Sequence, residues 1–334
     1  MGVQNHRHQM HGTAIPGGVA ASPYTHSDVL GPYSKHRAYN TPICHNLAMD
    51  EETRDIAKAI GNCCTSIGVE VPLEGAQAGQ ALLRAANPCN RRLYPFCEWR
   101  RSRAWRRRFF EGLPRFHEDF PTHSAIFLTL TVRNCPVDEL RTTINEMHRG
   151  WNRMVQRSFF PTKFWFRRTE VTQKSGETPL SMGLSFHPHI HAVLFVPSGY
   201  FSHGYVKQLE WQKQWMDAMR LDYVPVIDVR SAKSRSTSGG TPIEQSRQAA
   251  LEASKYATKS TDLIAMGSSL GTYHYAIKGL RLSASSKSLK PYIADTPITE
   301  DQLLDARQEV GGDSVRGKAL WFEDVQEYLF SDIL

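Results

Sequence analysis

Between Ala125 and Val229 the hydrophobic period of the chain changes in an order that few folds can accommodate. AIFLTLTV, Ala125 to Val132, is a β-branched apolar run of strand length. After Pro136, the residues Val137, Leu140, Ile144, Met147, Trp151, Met154 and Val155 recur every three or four positions, which places them on one helix face. Pro161 closes that segment, and KFWFRRTEV, Lys163 to Val171, is a second strand. A loop with Gly176, Pro179 and Gly183 leads to a third strand, about His189 to Val196. Residues 205 to 221 read as a helix with Leu209, Trp215 and Met219 inward. YVPVIDV, Tyr223 to Val229, is a shorter strand whose Pro225 places it at a sheet edge. The loop SAKSRSTSGGTP and a helix from about Ile243 to Leu263 follow. The order β-α-β-β-α-β predicts an α+β domain, an antiparallel sheet with helices on one face.

The flanks are less regular. Residues 1–45, rich in His, Gly, Pro, Ser and Tyr without a period, are expected to be a flexible N-terminal tail. Residues 46–115 form a Cys/Arg-rich region, residues 116–290 the α+β domain, and residues 291–334 a C-terminal extension. Two short helices are expected in that extension, which ends in WFEDVQEYLF, a segment with no assigned role. No stretch approaches the ~20 apolar residues of a membrane span. The start MGVQNHRHQMHG lacks the apolar core of a signal peptide, so the expected location is cytoplasmic.

In that compartment six cysteines are not expected to form disulfides. Five precede residue 100, and a structural Zn²⁺ on Cys63, Cys64, Cys89 and Cys97 is one reading. The spacing is untidy for it: there is no C-x2-C, and Cys89-x7-Cys97 is longer than a zinc-knuckle loop. Between Cys89 and Phe110 stand eight arginines, among them Arg100, Arg101, Arg103, Arg106, Arg107 and Arg108, interleaved with Trp99 and Trp105. Arginine with aromatics grips phosphates and stacks on bases. The alternative is a solvated helix face. The net charge of +7 suits a polyanionic partner without requiring one.

HPHIHAV, His187 to Val193, opens the third strand with three histidines. Residues two apart on a strand share a face and lie ~7 Å apart at the backbone. His189 and His191 therefore can converge on one cation, while Pro188 is expected to start the strand and leave His187 on a turn. Glu170, on the strand before, is the candidate third ligand. Two imidazoles, a carboxylate and open positions suit a divalent cation acting as a Lewis acid. The alternative is a polar surface on a half-buried strand.

LEASKYATKSTD places Glu252, Tyr256 and Lys259 on one face of the last helix, with Lys255 beside them. A phenol with an ordinary pKa of ~10 needs a cation or a lysine nearby to act as a nucleophile.

FLTLTVRN (Phe127 to Asn134), HPHIHAVLFV and EASKYATK resemble, in that order, the three motifs of the HUH endonucleases. The single tyrosine with a glutamate four positions earlier resembles the rolling-circle replication initiator (Rep) proteins of small bacterial plasmids. YAIKGLRLSAS, Tyr275 to Ser285, is similar to the stretch those proteins carry after the tyrosine helix. The resemblance covers roughly residues 60 to 290. It implies a ferredoxin-like HUH core. It also implies Mg²⁺ or Mn²⁺ on His189 and His191, with Glu170 matching a glutamate before the histidine motif. Tyr256 would then attack plasmid origin DNA, single-stranded or extruded, giving a 5′-phosphotyrosyl link and a free 3′-OH for a host polymerase and helicase. Glu252 would direct water at termination, and Lys259 and Lys255 would neutralise phosphate. The family's upstream C-x-x-C is broken here by Tyr94.

Two neighbours in the same chemistry, a mobilisation relaxase and an HUH transposase, fit less well. Relaxases place the tyrosine before the histidines, and the transposases are commonly far shorter. A non-catalytic basic DNA-binding regulator on the same fold is the competitor from another class. The oligomeric state stays open.

Overall fold

The protein is described by a computed structural model covering residues 26–174, 185–231, 241–253, 258–293, 299, 303–305 and 309–333. In chain order the first elements are α1 (His26–Ala38), α2 (Asn40–Ala48), α3 (Arg54–Gly61), β1 (Ser66–Pro72), β2 (Leu82–Ala86) and α4 (Pro95–Asp119). There follow β3 (His123–Thr131), α5 (Val137–Met154), β4 (Trp165–Lys174), β5 (Ser185–Pro197), α6 (Gln208–Met219), β6 (Ile227–Ser231) and α7 (Pro242–Ala253). The last are α8 (Ser260–Ala265), α9 (Leu270–Ile277), β7 (Ser283–Ser285), α10 (Lys290–Ile293), β8 (Ser314–Phe322) and β9 (Glu327–Ile333). No helix among the described residues is long and apolar enough to cross a membrane. The chain divides into two compact units: Asn46–Arg54 with Arg101–Ile298, and the described residues of Met1–His45, Asp55–Arg100 and Thr299–Leu334.

The first unit is α+β, built on a five-stranded antiparallel sheet in the order β6-β3-β5-β4-β7. Leaving out β7, the order is that of a βαββαβ unit, and β6 holds the edge that Pro225 forecast. The connecting helices α5 and α6 share one face. Met147, Trp151, Met154, Trp211 and Trp215 pack there on Leu128, Leu130, Ile190, Ala192 and Leu194. Trp215 finds a partner for its buried N–H in the Thr131 carbonyl, 2.9 Å away. The opposite face is covered as well. Trp105, Phe109, Leu113 and Phe116 of α4 and Ala249, Ala250 and Ala253 of α7 close over Phe127, Phe166, Val193 and Phe195. Burial on both faces is why AVLFV in β5 is an unbroken apolar run instead of an alternating one.

The second unit holds a four-stranded antiparallel sheet, β2-β1-β8-β9. Its inward residues Ile67, Val69, Val71, Leu83 and Ala319 meet Leu30, Tyr33, Phe96 and Tyr328. One expectation is corrected here. Residues 26–45 are not a tail: they lie in helices, with Leu30, Tyr33 and Ile43 buried. Residues 1–25 lie outside the described part. WFEDVQEYLF, which had no assigned role, forms the turn end of the β8–β9 hairpin, turned at Gln326 with φ 54°, where Trp321 and Tyr328 pair across the strands with ring centroids 5.2 Å apart.

Candidate metal centre and catalytic face

Strand β5 lies between β3 and β4, and this places the histidines. The register sets Glu170 of β4 opposite His189, and Thr129 of β3 opposite His191. Paired residues share a face, so all four side chains stand on the side that α7 covers. Oε2 of Glu170 lies 3.4 Å from Nε2 of His189 and 3.1 Å from Nε2 of His191. Ligands at adjacent corners of an octahedron with metal–ligand distances near 2.1 Å are about 3.0 Å apart. The three donors are therefore spaced for one divalent ion, and the residues fit such a group.

The other ring nitrogens are engaged. Nδ1 of His189 lies 3.1 Å from the His187 carbonyl, which can only accept, so Nδ1–H donates, and Nε2, which faces Glu170, is the nitrogen a cation would take in place of a proton. Nδ1 of His191 lies 3.1 Å from Thr129 Oγ1, and its ring stacks on Phe127 at 5.3 Å. Such outer contacts fix ring orientation around a metal. Burial alone would raise the Glu170 carboxyl, but hydrogen bonds from His189 and His191 outweigh it and hold it well below the usual carboxylate range. It therefore presents itself as an anion.

His187 is not on a turn. It lies inside β5, paired with Thr172, its ring 5.4 Å from that of His189. Pro188 does not start the strand because β3 ends its pairing at Thr131 opposite His189, so on that side no ladder partner needs the missing N–H.

Helix α7 crosses β3, β4 and β5 on this same face, brought close by its small residues Ala249, Ala250 and Ala253. Glu252 sits half-buried at its end. Lys255 and Tyr256 lie outside the described residues. Where description resumes, Thr258 Oγ1 and the buried Tyr273 hydroxyl are 2.6 Å apart, and Tyr273 stacks on Phe186 of β5 at 5.3 Å. Lys259 is corrected: it does not continue the Glu252 helix face. Its backbone is extended (φ −69°, ψ 144°) and it caps α8, where Ser260, Thr261 and Asp262 favour a fresh helix start. Thr129 escaped the sequence reading, because only strand pairing brings it to this face. Phe186, on which Tyr273 stacks, alternates with His187 and points to the other side of the sheet.

The arginines of α4 divide. Arg100 is buried and its Nε donates to the Leu303 carbonyl, while Arg108 is buried with its guanidinium 5.1 Å from the Trp105 ring centroid. These two are packing residues, which corrects their reading as phosphate contacts. Arg101, Arg103 and Arg107 are half-buried and Arg106 is exposed. In the second unit the Sγ atoms of Cys63, Cys89 and Cys97 converge within 4.8 Å of one another. Cys64, its Sγ 3.8 Å from that of Cys63, stands outside this three-way group.

The fold and the histidine–carboxylate cluster define a class: an α+β protein with a two-histidine, one-carboxylate centre on an antiparallel sheet. The profile of the family described as "Replication protein" matches residues 80–328, well over half of the chain, and the chain belongs to that family. It is similar to "Protein rep" of Lentilactobacillus hilgardii, 34% identical over 235 residues, 69% of this chain and 71% of that one. It is also similar to "Protein rep" of Bacillus amyloliquefaciens, 34% identical over 205 residues, 56% of each chain. A third relative, "Protein rep" of Streptococcus pneumoniae, is 34% identical over 160 residues, 46% of this chain and 48% of that one. The chain thus spans about half the length of some of the curated relatives it matches. No solved structure matches it.

Proposed function

We propose that the chain is an HUH nickase that initiates rolling-circle replication of a plasmid in the cytoplasm by cutting one DNA strand at the double-strand origin. The observation that carries this reading is the convergence of Glu170, His189 and His191 on the sheet face that α7 crosses. Tyr256 comes three residues after Ala253, the last described residue of that helix. The names of the relatives support the replication part of the reading.

Glu170, His189 and His191 would hold Mg²⁺ or Mn²⁺, which when bound polarises the scissile phosphate and offsets its charge. Tyr256 supplies the nucleophile. Its oxygen bonds to phosphorus, the 3′ oxygen leaves and takes up a proton, and the 5′ end stays on the protein as a phosphotyrosyl ester. The energy of the phosphodiester is conserved, so a later strand transfer needs no further input. Lys255 and Lys259 add positive charge that favours the phenolate over a phenol of pKa ~10. Glu252 accepts a proton from water in the terminating hydrolysis. Arg101, Arg103, Arg106 and Arg107 hold the sugar-phosphate backbone of single-stranded or extruded origin DNA in register. A host helicase and polymerase extend the free 3′-OH.

The test is nicking of a supercoiled plasmid carrying the cognate origin, with Mg²⁺ or Mn²⁺. His189→Ala and His191→Ala are expected to lose cation-dependent cleavage. Glu252→Ala is expected to nick but not to release closed single-stranded circles. Tight origin binding without cleavage under either cation would replace this reading with that of a DNA-binding regulator.

A further inference from the structure

Three separated segments of the second unit bring a thiol to one point. Cys63 lies in the turn after α3, Cys89 in the loop after β2 and Cys97 in the first turn of α4. Sγ of Cys97 is 3.4 Å from Sγ of Cys63 and 3.7 Å from Sγ of Cys89. Cys64 adds a buried thiol 3.8 Å from Cys63. A zinc ion bound tetrahedrally at a Zn–S distance of about 2.3 Å sets neighbouring sulfurs about 3.8 Å apart. A disulfide requires about 2.05 Å, and three mutually adjacent thiols could not all be paired. All six cysteines are free.

The backbone N–H of Cys89 lies 3.3 Å from Sγ of Cys63. The neighbouring Cys63 thiol and burial push the Cys89 thiol up to about 11, so a bound cation would have to displace the thiol protons. Simple apolar packing explains buried sulfur, but it gives no reason for three Sγ atoms to face one another. Cys89 is only partly buried, which leaves the cluster a path for an ion to enter.

We propose that Cys63, Cys89 and Cys97, with Cys64 turning in as the fourth ligand, hold a structural Zn²⁺. This site is separate from the Glu170–His189–His191 centre and independent of the nicking reading. The ion ties the α3 turn, the β2 loop and the first turn of α4 together. The thiol protons pass to solvent on binding, so affinity falls as pH is lowered.

The experiment is metal analysis and zinc X-ray absorption on the full-length protein purified from zinc-supplemented medium. One zinc per chain is expected, with a shell of four sulfurs near 2.3 Å. Cys97→Ser is expected to cut zinc content at least tenfold. Should that variant fold poorly, removing zinc from the wild type with a strong chelator is expected to lower its thermal midpoint, and zinc is expected to restore it. In cobalt-loaded protein the sulfur-to-cobalt absorption is expected to fall by about a quarter in Cys64→Ser. His189→Ala is expected to keep its zinc. Folded protein with less than about a tenth of an equivalent of zinc, a nitrogen–oxygen shell, or loss of zinc in His189→Ala would each overturn the proposal. Unchanged cobalt absorption in Cys64→Ser would remove Cys64 from it.

Discussion

Thr129→Val tests whether the hydrogen bond behind His191, a proposed metal ligand, matters here. The substitution keeps a β-branched side chain in β3 and deletes the Oγ1 that lies 3.1 Å from Nδ1 of His191. A net hydrogen bond is worth about 1 kcal/mol, and loss of an outer-shell partner weakens metal binding about 10- to 100-fold. Two features of the site pull toward the lower end. The His191 ring also stacks on Phe127, which holds its plane, and its side chain is 23% exposed, so water can replace the lost partner. The expected result is an Mn²⁺ Kd raised about 5- to 10-fold, or about 1–1.4 kcal/mol, read by calorimetry or by electron paramagnetic resonance of free Mn²⁺. Phe127→Leu combined with Thr129→Val is expected to lose more than the sum of the two, because both hold one ring. A change below about twofold in Thr129→Val would show that the stack alone orients His191, and the reasoning from the hydrogen bond would fail.

Other perturbations probe the scaffold. Burial by itself raises the Glu70 carboxyl, but hydrogen bonds from Ser314, Arg84 and Arg316 outweigh it and hold the group below the usual range. Its stabilising contribution is therefore fully present above the unfolded carboxylate pKa of about 4.3 and is lost as pH falls through the lower native value. Glu70→Gln is expected to cost about 1–3 kcal/mol in urea unfolding at pH 7 and to flatten the acid limb of stability; an unchanged limb contradicts this. A Cβ on Gly112 would lie 1.9 Å from the Tyr292 carbonyl oxygen, whereas one on Gly150 meets the flexible end of Met219 at 2.3 Å. Gly112→Ala is expected to cost about 3 kcal/mol and Gly150→Ala clearly less, with the reverse ranking in thermal melts refuting the packing described. Burial and the Arg167 charge push His148 down to about 3, so NMR is expected to find it neutral from pH 5 to 8.

The elements β3 to β6 with α5 and α6 were legible because each carries a clean period and follows its neighbour closely, whereas α8, α9 and β7 were not read. Glu170 and the His189–His191 pair were legible for the same reason, since consecutive strands tend to pair. The second unit was not. Its sheet joins Ser66–Pro72 to Ser314–Phe322, segments separated by most of the chain, and its hairpin turn contains no glycine to announce it. SIGVEVP did alternate, with Ile67, Val69 and Val71 inward, and that signal was available. Arg100 and Arg108 looked like charges facing solvent because composition says nothing about which side of α4 is buried. Lys259 was misplaced because a helical spacing was carried through a Ser-Thr-Asp restart.

The central claim is that Tyr256 becomes joined to DNA at a cation held by Glu170, His189 and His191. The most direct measurement is mass spectrometry of the peptide linked to DNA after reaction with an origin oligonucleotide and Mn²⁺. The account predicts a 5′-phosphate ester on Tyr256, formed only with the cation and absent from Tyr256→Phe and from His189→Ala. An ester on any other residue, or an adduct of undiminished yield in Tyr256→Phe, would contradict it.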